Sequence, residues 1–208
     1  MINKLKNDLQ SFNNSFNEAG IPWVLIDGFV LGYARNKKII PWDTDIDLAV
    51  CREIPQDKKE QLLYDIFPKH GLKVVASKKR WDFIYGTGQT SFNLWFYHKE
   101  GDYYVAYPPT TPKVKFIEKA ESYDNIQRLE FEGGLYPMPG DIDGYISDRY
   151  GVNWKNETWE HDGWYMEKRG VNRFTELSIS EQQDKWVKSR CGKDGDLWPK
   201  IIYREDNI

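Results

Sequence analysis

The sequence predicts an α+β fold in one domain, and three observations lead to this prediction. Apolar side chains recur at steps of three and four between Ile2 and Ala19, which is the pattern of an amphipathic helix. Short apolar runs bounded by glycine, proline or charged residues recur between positions 23 and 107, as is typical of strands. The connections KEGD (99–102) and EGG (132–134) are typical of hairpin turns. A chain of 208 residues is long enough to bury a sizeable core.

The composition excludes several classes of protein. Hydrophobic residues make up 40% of the chain and charged residues 29%, with a net charge of −3, so we expect a globular protein that does not bind nucleic acid non-specifically. The two cysteines and three histidines have no motif spacing, which argues against a disulfide framework or a zinc site. The N-terminus lacks the apolar stretch of a signal peptide, and no run approaches the roughly 18 apolar residues of a membrane span. We therefore expect a cytoplasmic location and no transmembrane segment.

The remaining elements follow from the same two periodicities and from turn residues. The first helix is expected to end at Gly20. The predicted order after it is a strand at 23–27, a glycine-containing segment at 28–38, a strand at 45–50, a helix of about four turns from Pro55, and strands at 72–77, 80–86, 91–98 and 102–107. Residues 108–127 are expected to be irregular. A hairpin at 128–140, a helix at 141–151 ended by Gly151, and a last helix at 180–190 with a capping-box pattern at Ser180 and Gln183 complete the order.

Three aspartates crowd the start of the second predicted strand. In IIPWDTDIDLAV (39–50), Asp43, Asp45 and Asp47 occupy alternate positions. On one strand face, Asp45 and Asp47 lie roughly 6.5 to 7 Å apart at the backbone. Burying one unpaired carboxylate costs several kcal/mol, and a second like charge adds to that cost. A divalent cation removes both penalties, and oxygen-only ligands favour Mg²⁺ or Mn²⁺.

Three interpretations of this cluster compete. A solvated turn without function is disfavoured because the pattern continues into an apolar strand. A calcium loop of the EF-hand type needs glycine at its sixth position and glutamate at its twelfth, where this chain has Leu48 and Ile54. A metal site for phosphoryl or nucleotidyl transfer is favoured. Nearby glycines, Gly28 and Gly32, allow the backbone to approach a phosphate closely. Arg35, Lys37 and Lys38 supply positive charge.

The segment GFVLGYARNKKIIPWDTDIDLAV (28–50) closely resembles the signature of the LicD/fukutin family. That signature runs G-x-L-L-G-x-x-R and, after a short gap, I-P-W-D-x-D-I-D. SFNLWFYHKE (91–100) and YPMPGDIDGYISDRYGVNWK (136–155) resemble two later elements of the family. The resemblance spans roughly residues 20–160.

The resemblance implies a polymerase-β-like nucleotidyltransferase fold with a mixed sheet flanked by helices. It implies a core at about 20–160 and a C-terminal extension at 161–208, within one domain over residues 1–208. It also implies transfer of a phospho-alcohol, such as phosphocholine or ribitol phosphate, from a CDP-activated donor to a sugar hydroxyl, with release of CMP. The acceptor is expected to be a glycan or a lipid-linked sugar.

The mechanism that agrees with both lines of reasoning uses Asp45 and Asp47 to bind one or two Mg²⁺ ions. Asp43 is assigned either to bind a second metal ion or to accept the proton of the acceptor hydroxyl. Arg35 is assigned to phosphate, with Lys37 or Lys38 as helpers, although a salt bridge from Arg35 to one of the aspartates fits equally well.

Asn93 stands where the family tends to carry a further acid, and it is expected either to contact the substrate or to be a structural amide that caps the hairpin. Either Asp43 or Asp82 is then expected to act as the base, or the activity is weakened. Two other functions stay open at this point. One is nucleotidyl transfer from an NTP to a protein or small molecule, and the other is an inactive module that binds a nucleotide or glycan.

Overall fold

The computed structural model describes residues 1–77, 83–106, 114–150, 154–155 and 202–203. Within these residues, the main sheet is mixed and has eight strands. Its strands are β1 (Val24–Leu25), β2 (Asp45–Cys51), β3 (Lys73–Ser77), β4 (Phe83–Thr87), β5 (Ser91–Glu100), β6 (Tyr103–Ala106), β7 (Val114–Lys119) and β10 (Ile202–Tyr203). A separate hairpin contains β8 (Gln127–Phe131) and β9 (Gly134–Met138).

The helices lie between these strands in the chain. They are α1 (Ile2–Ala19), α2 (Gly28–Asn36), α5 (Glu121–Asp124) and α6 (Ile142–Tyr150). A further helical segment is continuous from α3 (Gln56–Glu60) through a π-helical stretch (Gln61–Ile66) to α4 (Phe67–Lys69). Among the described residues, no helix is both long and apolar enough to cross a membrane.

Strand β5 is the centre of the sheet. Its first part lies between β2, which runs parallel to it, and β4, which runs antiparallel. Its last part pairs with β6, and β6 pairs with β7. The alternation of its side chains therefore decides what each face of the sheet presents.

One face of β5 packs on the helices and forms the core. Phe92 contacts Phe12 of α1 at 4.8 Å between ring centroids and Phe67 of α4 at 5.8 Å, both edge to face. Helix α1 is also fixed to the turn before β5, because the buried Asp8 carboxylate accepts hydrogen bonds from the backbone of Gln89 and Thr90 at 2.9 and 2.7 Å. These contacts hold the start of β5, which carries part of the site described below.

The opposite face of β5 is covered only towards its end. There Tyr97 stacks on Tyr123 of α5 with ring centroids 6.3 Å apart, and Tyr123 contacts Tyr145 of α6 at 5.9 Å. Towards its start, the same face carries Asn93 and Trp95, which are partly exposed. The candidate functional residues lie on this part of the sheet.

Most of the predicted elements are confirmed. Helix α1 ends at Gly20, which adopts the left-handed conformation with φ 65°. The helix after Pro55 and the two hairpins lie where they were expected. The predicted end of α6 at Gly151 and the helix at 180–190 lie outside the described residues.

Two expectations need correction. The strand expected at 23–27 is reduced to Val24–Leu25. The expectation of irregular structure at 108–127 is wrong for its second part, because β7 and α5 lie there. The proline- and lysine-rich start of that segment favoured an irregular structure. Strand β7 depends on pairing with β6, and local sequence does not reveal that contact.

Candidate active site

Asp45 and Asp47 converge on one side chain of the neighbouring strand. In the register of β2 with β5, Asp45 lies opposite Ser91 and Asp47 lies opposite Asn93. The Asn93 amide Nδ2 donates hydrogen bonds to Asp45 Oδ2 at 3.0 Å and to Asp47 Oδ1 at 2.9 Å. Both carboxylates therefore point at a common donor, the Asn93 amide nitrogen.

The electrostatic environment of Asp47 favours a bound positive charge. Burial raises the pKa of Asp47 well above its usual value, and the nearby charges of Asp27 and Asp45 raise it further. The hydrogen bond from Asn93 opposes this shift in pKa but does not cancel it. Within the described residues, no group of three or more His, Cys, Asp or Glu side chains is arranged to hold a metal ion. The convergent set is instead two aspartates and one amide.

Asp43 lies beside the first residue of α2. Its backbone N–H donates to the Ile40 carbonyl at 3.0 Å, and its Oδ1 accepts from the Thr44 N–H at 3.0 Å. A Cβ atom at position 28 would lie only 2.4 Å from Asp43 Oδ2, so any larger residue there would require the Asp43 carboxylate to move. Gly28 thus allows the Asp43 carboxylate to lie against the N-terminal end of α2.

Gly32 has a similar packing role one turn along α2. A Cβ atom at position 32 would lie 2.4 Å from the Lys38 carbonyl oxygen. The two glycines of the sequence motif therefore let the loop at 37–44 pack closely against α2. Their expected contact with phosphate stays a prediction.

A buried ionic network that sequence reasoning missed adjoins the aspartates. Arg149 of α6 donates from Nε and Nη2 to the Asp27 carboxylate, the second contact being 2.7 Å, and from Nη1 to Glu118. The Asp27 backbone N–H donates to the Tyr145 hydroxyl at 3.0 Å. Asp27 has φ 54°, a left-handed value that is uncommon outside glycine. The network holds this backbone where β1 turns into α2.

The polypeptide from residue 20 to residue 141 matches the family model described as LicD/FKTN/FKRP, nucleotidyltransferase domain. This stretch is more than half of the chain. The chain belongs to the LicD/FKTN/FKRP family. The resemblance inferred from the motifs and the nucleotidyltransferase fold are both confirmed, and membership supports a phosphotransferase-type role on glycans.

Solved structures that are similar to this LicD/FKTN/FKRP member include two of the protein ANT(2")-Ia, both at 13% identity. The crystal structure in complex with adenylyl-2"-tobramycin covers 88% of this chain and 84% of that chain, with a TM-score of 0.45. The solution structure covers 92% and 84%, with a TM-score of 0.47. The comparison with curated proteins returned no match.

Arg35 of the family motif and the two lysines that follow it lie at the C-terminal end of α2. Arg35 donates from Nε and Nη2 to the Trp154 carbonyl, at 2.9 and 2.6 Å. The Lys37 ammonium lies 3.5 Å from the centroid of the Tyr33 ring, and Lys38 is exposed. These contacts give Arg35 a structural partner, and the assignment of the three basic residues to phosphate stays a prediction.

The loop that carries Asp43 is also fixed from the β8–β9 hairpin. Glu132 Oε1 accepts from the Ile39 N–H at 2.8 Å, and Glu132 Oε2 lies 2.6 Å from the Lys6 ammonium. Burial alone would raise the pKa of Glu132, but the hydrogen bonds from Lys6 and Ile39 outweigh it and hold that pKa below its usual value. Asp82, the alternative base, lies outside the described residues.

Proposed function

We propose that this LicD/FKTN/FKRP member transfers a phospho-alcohol from a CDP-activated donor to a sugar hydroxyl of a glycan and releases CMP. Family membership supports the class of reaction. The observation that carries the proposal is the convergence of Asp45 and Asp47 on the Asn93 amide, with distances of 3.0 and 2.9 Å. Two carboxylates aimed at one point are suited to a hard divalent cation, which phosphate chemistry uses.

The residues at this point fit Mg²⁺ or Mn²⁺. Asp45 and Asp47 supply carboxylate oxygens, and the Asn93 side chain supplies an amide oxygen once the amide turns its Oδ1 inward. The raised pKa of Asp47 reflects burial and like charge, and a cation offsets both effects. When bound, the ion would neutralise charge on the diphosphate of the donor.

The proposed reaction is an in-line substitution at phosphorus. The acceptor hydroxyl oxygen forms a bond to the phosphorus that bears the alcohol, and the bond from that phosphorus to the CMP oxygen breaks. CMP leaves with the electron pair of the broken bond, and the hydroxyl proton must pass to a base. We assign that base to Asp43, because its carboxylate lies two residues before Asp45 and is partly exposed.

The proposal is tested by the product that the enzyme releases. Purified protein is incubated with Mg²⁺, a sugar acceptor and either CDP-choline, CDP-ribitol or an NTP, and the nucleotide products are separated by chromatography. We expect CMP from a CDP-alcohol in an acceptor-dependent manner, and loss of that product in Asp45→Asn. Pyrophosphate from an NTP would instead indicate nucleotidyl transfer. Binding of a CDP-alcohol without CMP release, for every acceptor tried, would indicate an inactive binding module.

A matched control separates chemistry from folding. Asp65 is an exposed aspartate in the helical segment after Pro55. We expect Asp65→Asn to keep the wild-type rate. Equal loss of activity in both variants would contradict the assignment of Asp45.

A further inference from the structure

Three strands place a regular grid of side chains on the site face of the sheet. The register pairs Asp47 of β2 with Asn93 of β5, and Asn93 with Tyr85 of β4. Directly paired residues of neighbouring strands share one face, so Tyr85 stands in the same row as the metal-binding candidates. The next row along the strands contains Trp95 paired with Phe83. We call Phe83, Tyr85 and Trp95 the aromatic shelf.

The shelf is partly open, whereas the residues that alternate with it along the two strands are buried. Tyr85 is 38% exposed, and Phe83 and Trp95 are partly exposed. Ile84 and Leu94, which alternate with the shelf residues on the opposite face, are fully buried at 0%. Phe83, Tyr85 and Trp95 therefore lie on the open face of the sheet, whereas the residues between them lie in the core.

The shelf is preorganised and has an apolar border. The Phe83 and Trp95 rings contact each other with centroids 4.4 Å apart, which fixes both rings. Beyond β4, strand β3 contains a register shift between Val74 and Ala76, and Val75 at that shift is 56% exposed. The row of Asp47, Asn93 and Tyr85 thus adjoins the aromatic pair of Phe83 and Trp95.

We propose that the aromatic shelf binds the sugar ring of the acceptor glycan. This inference rests on the proposed function, whose substrate class it specifies. Neighbouring strands lie about 4.8 Å apart and alternate residues of one strand about 6.7 Å apart, so the shelf begins within one ring's width of the Asp47–Asn93 row. The attacking hydroxyl is attached directly to the acceptor ring, which must therefore lie next to the reacting phosphorus.

The chemistry of the shelf favours a sugar over the nucleobase and the phosphates of the donor. The nucleobase of the donor is separated from the attacked phosphorus by a second phosphate and a ribose, which places it farther away than the shelf. Phosphates are disfavoured because Phe83, Tyr85 and Trp95 carry no positive charge. Aromatic faces suit the apolar C–H face of a neutral sugar ring. The Tyr85 hydroxyl and the neighbouring Asn93 side chain can hydrogen-bond to the hydroxyls of the sugar.

Direct binding of sugars tests the inference independently of catalysis. The probes are methyl glycosides of glucose, galactose and their N-acetylated amines, measured by saturation-transfer NMR with the full chain. The variants are Tyr85→Ala and Tyr85→Phe, with Tyr103→Ala as the control because Tyr103 is a strand tyrosine that is 44% exposed on β6. Thermal melting checks that each variant is folded.

We expect wild type, Tyr85→Phe and Tyr103→Ala to bind at least one of these sugars, and Tyr85→Ala to bind it about tenfold more weakly. In CMP-release assays, Tyr85→Ala should raise the acceptor KM about tenfold and leave the donor KM unchanged. Sugar binding that is unchanged in Tyr85→Ala would overturn the inference, as would the absence of sugar binding in wild type. A rise in the donor KM alone would assign the shelf to the donor and would also overturn the inference. Failure of wild type to release CMP would refute the proposed function. The NMR measurement would still show whether the aromatic shelf binds a sugar.

Discussion

The two faces of strand β5 have opposite characters. Phe92, Leu94 and Phe96 point into the core, and each is at most 1% exposed. Asn93 and Trp95 alternate with them on the open face, and Asn93 is paired with Asp47 of β2. One strand therefore serves stability with one set of side chains and the site with the other. Substitutions on the two faces of the sheet should fail in different assays, and the following variants test that separation.

The largest effect is expected on the core face. Phe92 contacts two aromatic rings, and a Cβ atom at Gly86 would lie 2.1 Å from its ring, which indicates tight packing. Phe92→Ala should lower the free energy of unfolding by about 3–5 kcal/mol because it leaves a cavity. Urea denaturation measures this change. CMP release per folded molecule at low temperature should stay near that of wild type, and an unchanged free energy of unfolding would show that the packing argument is wrong.

A substitution on the site face should produce the opposite pair of results. Asp47→Asn should reduce CMP release by about 10²–10³-fold, in the range found when one group that stabilises transition-state charge is removed. The metal-free protein should not lose stability, because burial and like charges already disfavour the ionised form of Asp47.

The pH dependence of this variant follows from the raised pKa. A group with a raised pKa contributes stability below its unfolded value, here 3.8, and loses that contribution as the pH rises through the folded value. Asn does not titrate, so the melting temperature of Asp47→Asn in EDTA should rise relative to wild type as the pH increases from about 4. A melting temperature that falls relative to wild type over this range would contradict the electrostatic description.

A smaller effect is expected at the contact that fixes the Asp43 loop. Glu132→Gln keeps an acceptor for the Ile39 N–H but loses the charge that pairs with Lys6, at a cost of about 1 kcal/mol. The pKa of Glu132 is lowered from 4.5, so its contribution is present above that value and lost as the pH falls through the lower folded value. The difference in melting temperature between wild type and Glu132→Gln should therefore shrink below about pH 4.5. A difference that stays constant down to pH 3 would refute the charged contact.

Much of the fold was predictable because its signals are local. The apolar periodicity of α1 and the left-handed Gly20 at its end are readable from neighbouring residues. The alternation in DIDLAV places Asp45 and Asp47 on one face without reference to any other strand. Strand β7 was missed because it depends on pairing with β6, and the turn residues before it dominate the local pattern.

The site was only partly predictable, for a related reason. Asp43, Asp45 and Asp47 were predictable because they lie in one sequence motif. Asn93 was predictable because its strand resembles a later element of the family. The pairing of Asp27 with Arg149 joins residues separated by 122 positions, and neither partner carries a local signal that names the other. Likewise, sequence alone gave Gly28 and Gly32 a role towards phosphate, whereas the structure also gives each a close contact with the loop at 37–44.

The most direct measurement is Mn²⁺ binding, followed by electron paramagnetic resonance in the presence and absence of a CDP-alcohol. Wild type should bind Mn²⁺, more tightly with the donor present, while Asp45→Asn and Asp47→Asn should bind it at least about tenfold more weakly. The exposed control Asp65→Asn should match wild type. Equal Mn²⁺ affinity in wild type and both site variants would place the ion elsewhere and contradict the central claim.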